Sequence, residues 1–160
     1  MPLTQSPAEL SAWLRLSLEP NIGSATACTL LSGLGLPDQI YAQRATALVR
    51  HVREALARQL AAPMPSDMAA QVESPLEWVA MPGRHILTLA DPTYPQSLLT
   101  IADPPILLYV AGDPAFLQGP ALAVVGARNA TPGGQENARA FARHLAAHGW
   151  RVVSGLALGV

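Results

Sequence analysis

Between Ala121 and Val153 two short, nearly unbroken apolar runs flank an amphipathic stretch, and few folds accommodate that order. Ala121-Leu-Ala-Val-Val125 and Trp150-Arg-Val-Val153 lack the strict polar alternation of a strand with one wet face. They read as strands covered on both faces, the habit of parallel sheets. Between them Ala138, Phe141, Ala142 and Leu145 recur at helical spacing, and Gly149 is placed to end the helix. Strand, helix and strand joined by short connections predict a βαβ unit, and with it an α/β fold with parallel strands.

The connection after the first strand carries the most chemistry. It reads Val125-Gly126-Ala127-Arg128-Asn129-Ala130-Thr131-Pro132-Gly133-Gly134 and opens the helix. Thr131 suits an N-cap, and Pro132 at the first helical position loses no needed hydrogen bond. The N–H groups of Gly133 and Gly134 are then expected to be free, at the positive end of the helix dipole. Gly126 lets a backbone or ligand come close, and Arg128 adds a planar, permanently charged fork matched to phosphate. A second turn, Ser154-Gly155-Leu156-Ala157-Leu158-Gly159-Val160, follows the next strand. In a parallel sheet both turns sit side by side at the carboxyl edge, where such sheets bind ligands. The competing interpretation is an ordinary βα turn, since glycines and an arginine are common there.

Upstream the pattern is helical. Leu10, Trp13, Leu14 and Leu18 form one stripe from about residue 7 to 18, and Ala27, Leu30, Leu31 and Leu34 form another. Glu19-Pro20-Asn21-Ile22-Gly23 is the turn between them, and Gly33 and Gly35 end the second helix. A short helix starts at Leu36-Pro37-Asp38, and a longer one is expected from about Ala45 to Leu60 on Leu48, Val52, Leu56 and Leu60. Ala62-Pro63-Met64-Pro65 reads as a linker. A helix over 68–79 should be broken by Pro75, and residues 85–89 and 106–111 read as strands around a short helix near 94–101. The expected organisation is a helical domain over 1–62, a connecting segment over 63–83 and an α/β domain over 84–160.

Charge is uneven along the chain. The net charge is -1, yet residues 121–160 hold four arginines and one acid while 63–120 hold one arginine and six acids. A phosphate-binding surface needs such local excess rather than a basic whole. Half the residues are hydrophobic and 13% are charged, which excludes a disordered or coiled-coil chain. The opening residues lack the pattern of a secretory signal, and no apolar run is long enough to span a membrane. A lone Cys28 excludes an internal disulfide and a cysteine-rich zinc site, and fits a cytoplasmic protein.

These features together resemble the DprA/Smf family of DNA-processing proteins. The resemblance lies in Val125-Gly126-Ala127-Arg128-x-x-Thr131-x-x-Gly134, the alanine-rich helix, Gly149 and Ser154-Gly155-Leu-Ala-Leu-Gly159. Asp91-x-x-Tyr94-Pro95-x-x-Leu98 and Asp103-Pro104-Pro105-x-Leu107-x-Tyr109-x-x-Gly112 are similar to the family's approach to that domain, and residues 10–61 resemble its SAM-like domain. Ala130 and Gly133 stand where the family often has proline and an aromatic. The resemblance implies an N-terminal helical SAM-like domain followed by a Rossmann-like domain with parallel strands, incomplete because the chain stops at Val160. It implies that Gly126, Arg128, Thr131, Gly134, Ser154 and Gly155 hold DNA phosphates. It further implies single-stranded DNA binding and protection in transformation and recombination, loading of the RecA recombinase, and a homodimer in the intact protein.

Two other classes stay open. Pro132-Gly133-Gly134 invites comparison with the nucleotide phosphoribohydrolases, but it continues Gln-Glu-Asn-Ala and lacks their Gly-Thr and spaced Glu. The helical residues 1–62 could instead serve as a protein-interaction module. His144 and His148 are four apart on a helix, but no third metal ligand accompanies them. No nucleophile, base or metal constellation points to catalysis, so neither cofactor nor enzymatic activity is expected. Asn21-Ile22-Gly23 resembles the hairpin of helix-hairpin-helix modules, against the simpler reading of a helix–helix turn. Trp13, Trp78 and Trp150 are expected in the core or at an interface, and Asp91, Asp103 and Asp113 in turns.

Overall fold

A computed structural model of the chain describes residues 5–156. The end of the second glycine turn, Ala157-Leu158-Gly159-Val160, therefore lies outside the described residues. The chain forms a mixed α/β structure that separates into two compact units, one up to Pro114 and one from Ala115. The chain thus divides at Pro114, whereas the sequence expectation drew its lines at 62 and 84.

The first unit is built on six helices and a strand pair. Helix α1 (Pro7–Leu18) begins with a capping box: Ser6 Oγ accepts from Glu9 N, and Glu9 accepts from Ser6 N. These hydrogen bonds hold the exposed Glu9 carboxyl below its ordinary range. Helix α2 (Ser24–Leu34) ends at Gly35, whose φ of 94° is open to glycine and strained for other residues. A Cβ at that position would also collide with the Gln39 side chain, which reaches back to cap α3 (Pro37–Tyr41) through Leu36 N.

The long helix expected over 45–60 is two helices, α4 (Ala45–Leu48) and α5 (Glu54–Ala61). Leu48, Val52, Leu56 and Leu60 repeat every fourth residue, while a helix turns every ~3.6, so the stripe drifts around a straight cylinder. A break at Val49–Arg53 lets Leu48 and Leu60 both reach full burial. Helix α6 (Ser66–Val79) runs unbroken through Pro75, contrary to expectation. Pro75 deprives the carbonyl of Gln71 of its helical donor, but Gln71 is exposed and water can serve it. Meanwhile Met68 and Val72 are buried, and α1 packs along α6.

Strands β1 (Arg84–Thr88) and β2 (Leu107–Ala111) pair antiparallel, Arg84 opposite Ala111 and Thr88 opposite Leu107. The anticipated parallel arrangement does not extend to them. Their connection returns directly through the Asp91 turn and a 3₁₀ turn at Gln96–Thr100, without the crossover helix a parallel pair requires. Asp91 Oδ1 accepts from both the backbone and hydroxyl of Thr93, and buried Tyr94 donates its hydroxyl to Pro105 O at 2.6 Å. The Asp91-x-x-Tyr94 motif thus pins this connection to the strand pair. One core cluster joins Trp13, Leu16, Leu30, Ile40, Leu48, Leu60 and Ile106. A second joins Leu10, Leu14, Val72 and Ile86, so helices and strands share their burial.

The second unit is the expected βαβ. Strands β3 (Ala121–Ala123) and β4 (Arg151–Val153) pair in parallel, with α7 (Pro132–Ala147) between them. No described residue of this unit is buried, and Val125, Phe141 and Leu156 are 84%, 68% and 92% exposed. Trp13 is in the core and Trp78 meets the edge of Tyr109, while Trp150 is 43% exposed.

Candidate nucleic-acid interface

Parallel pairing of β3 with β4 puts both glycine turns at one end of the sheet. The ladder continues one step beyond β3, Val124 N donating to Val153 O at 2.9 Å, so the chain leaves both strands side by side. From there Gly126, Arg128, Thr131, Gly133, Ser154 and Gly155 are all exposed, and Gly134 is half-buried. Arg128 makes no ion pair or hydrogen bond among the described residues, leaving its guanidinium available.

Thr131 caps α7 as its sequence predicts, with extended backbone and its side chain accepting from Gly134 N at 3.1 Å. That bond corrects one expectation. The N–H of Gly134 is satisfied by the cap, so Gly133 supplies the free amide at this helix start. A Cβ on Gly133 or Gly155 would meet nothing within 4 Å, which makes both positions open to an approaching ligand. At Gly134 a Cβ would stand 3.2 Å from Thr131 Oγ1, so its small size serves the cap.

The second turn is tied differently. Ser154 Oγ accepts from Leu156 N at 3.1 Å, and Leu156 holds a left-handed φ of 52°. A leucine in that conformation is uncommon, and nothing in the sequence announced it. The Ser154 hydroxyl, already accepting from the chain, keeps its hydrogen for an outside acceptor.

Charge is less concentrated at this edge than the segment total implied. Arg151 starts β4 at the opposite end, where its guanidinium lies against Gly119 and reaches Gly149 O at 3.4 Å. Arg139 and Arg143 lie further along α7, which leads away from the turns. Arg128 is the cation that the turns themselves carry. His144 and His148 stack with ring centroids 4.2 Å apart, and His148 Nδ1 lies 2.7 Å from His144 O. No group of three potential metal ligands occurs among the described residues. Among them, too, no helix is long and apolar enough to cross a membrane.

Comparison with known proteins assigns this part of the chain. Residues 85–160 match the family model of the DNA recombination-mediator protein A. Protein Smf of Escherichia coli K12 is 37% identical over 89 residues, covering 56% of this chain and 24% of that protein. DNA processing protein DprA of Bacillus subtilis 168 is 34% identical over 79 residues, covering 49% of this chain and 27% of that protein. Protein Smf of Synechocystis PCC 6803 is 40% identical over 78 residues, 46% of this chain and 20% of that protein. The matched stretch is thus about a quarter of the length of these relatives, and the family match starts after the six helices. The βαβ unit with both its glycine turns falls inside it, as does nearly all of the antiparallel pair ahead of it, and over residues 85–160 the chain is similar to the DprA/Smf proteins.

Proposed function

We propose that the chain is part of a DNA-processing protein whose βαβ edge grips single-stranded DNA through its phosphates. The observation that carries this reading is the pairing of two exposed glycine turns at one sheet end, with unpaired Arg128 and the free Gly133 amide beside Ser154. Backbone amides, a hydroxyl and one guanidinium recognise phosphate and carry no base-specific information. No aromatic side chain belongs to either described turn, so contact with the strand is through its backbone rather than by stacking.

The name of the Bacillus subtilis relative and the description of the matching family model support the coarser part of the proposal, a role in DNA processing and recombination. We further assign to the full-length protein, as part of the proposal, protection of single strands, delivery of them to the RecA recombinase, self-association as a homodimer, and a cytoplasmic place of work. The assignment is of binding without catalysis. Release of free base from nucleoside monophosphates in proportion to protein would overturn that half of it.

The test of the site is Arg128→Ala, read as anisotropy of labelled oligo-dT at several salt concentrations. With one phosphate no longer neutralised, binding should weaken and the slope of log affinity against log salt should fall by roughly 0.7. An unchanged affinity and slope would remove Arg128 from the interface.

A further inference from the structure

The helical unit carries a second feature that the glycine turns do not explain. A cavity of about 790 Å³ opens between α2 and the α4–α5 break, and Arg50, His51 and Arg53 line it together with Asn21, Thr26 and Gln59. No acid lines it. The ion pairs of the described residues are Arg15–Glu19 and Arg58–Glu54, so neither Arg50 nor Arg53 is neutralised. Two unpaired guanidinium groups within one turn repel each other unless an anion lies between them.

The backbone around the cavity has the same sign. Neither α2 nor α5 has a side-chain cap, and residues from the first turn of each, Thr26 and Leu56, line the wall. The first intrahelical bonds are Ala27 N to Gly23 O and Ala57 N to Arg53 O, which leaves the preceding amides available. The Asn21 turn bends with a positive φ of 64°, bringing the start of α2 to the rim. The His51 ring sits against Gly33, 2.8 Å from where a Cβ would stand, so glycine there fixes how the imidazole is seated.

We propose that this groove binds the sugar–phosphate backbone of nucleic acid, as a second contact separate from the βαβ edge. Its volume lies within the roughly 300–1,000 Å³ of small-ligand clefts, more than a single phosphate fills. It accommodates consecutive linked phosphates, with Arg50 and Arg53 as their partners. Apart from His51 no ring lines the cavity, so the bases contribute nothing and sequence is not read. The Asn21-Ile22-Gly23 hairpin noted in the sequence thereby gains a role beyond joining two helices.

The experiment is an amide-shift titration of the 160-residue chain with an abasic deoxyribose–phosphate oligomer, oligo-dT and inorganic phosphate. Both oligomers should move the amides of residues 24–26 and 54–56 equally, and should still do so in Arg128→Ala. The double variant Arg50→Ala/Arg53→Ala should abolish those shifts and lower the salt slope by roughly 0.7 for each phosphate left without its arginine. Thr26→Glu puts a carboxylate in the groove while favouring the start of α2, so it should weaken binding without lowering thermal stability. Saturation by inorganic phosphate alone would replace the strand with a free-ion site and overturn the proposal. So would shifts that require bases, or none at these residues. Loss of binding in Arg128→Ala with the groove variants unaffected would overturn this proposal and spare the βαβ site. The reverse result would overturn the βαβ reading alone.

Discussion

Glu19 is 4% exposed, and its carboxylate sits among three other side chains that depend on it. Arg15 Nε donates at 3.1 Å, Gln59 Nε2 at 2.5 Å and the Tyr41 hydroxyl at 3.3 Å. The Arg15 guanidinium lies 3.8 Å from the Tyr41 ring centroid and also donates to Ala62 O at 2.8 Å. Burial, reinforced by the Glu19 charge, raises the Tyr41 hydroxyl pKa far above its ordinary value, so it acts only as a neutral donor. Glu19 therefore ties α1, α3 and α5 together, and its partner Arg15 holds the chain after α5. Removing Glu19 strands a buried guanidinium, which typically costs about 3–5 kcal/mol. Glu19→Ala should lower urea stability by that order, whereas Glu54→Ala, which removes an exposed pair, should cost under about 0.5 kcal/mol. Equal losses in the two variants would mean the network contributes no more than a surface ion pair.

Elements whose limits are set by adjacent residues were readable from the sequence, and those set by distant partners were not. Helices α1, α3 and α7 begin at a cap or a proline, and α2 ends at Gly35, so their bounds follow from local chemistry. The α4–α5 break is different, because it delivers Leu48 and Leu60 into a core that also draws on α1, α2, α3 and Ile106. A four-residue stripe looks like one helix until that core is known. Likewise a run such as Leu107–Ala111 declares a strand but not the direction of its neighbour. The α7 start was legible down to its cap, yet the cap's bond to Gly134 N removed an amide that spacing alone left free. Thr131→Ala should cost α7 about 1 kcal/mol, speeding exchange of the Gln135 to Arg139 amides roughly fivefold. Thr131→Ser should keep the original rates, and equal acceleration by both variants would show that the hydroxyl cap is not what holds this end.

Across the whole molecule, the two units draw on unequal shares of buried surface. The first unit contains every residue of both core clusters and the Glu19 network, and its helices and strands bury side chains in common. The second has a parallel pair three residues long on each side and no described residue that is buried. Its candidate site was therefore the easier part to read, since both turns announce themselves in glycine, serine and arginine. The groove on the first unit was harder, because Asn21, Thr26 and Arg50 meet only once α2 and α5 have packed. Hydrophobic burial is the main favourable term in folding, so stability should follow the same division. Native-state hydrogen exchange should find amides of α1, α2 and β1 opening only in global unfolding, while α7, β3 and β4 exchange through local opening at much lower free energy. Protection of β3 and β4 equal to that of β1 in the isolated monomer would contradict this, and would mean that the exposed Val125, Phe141 and Leu156 are covered in solution.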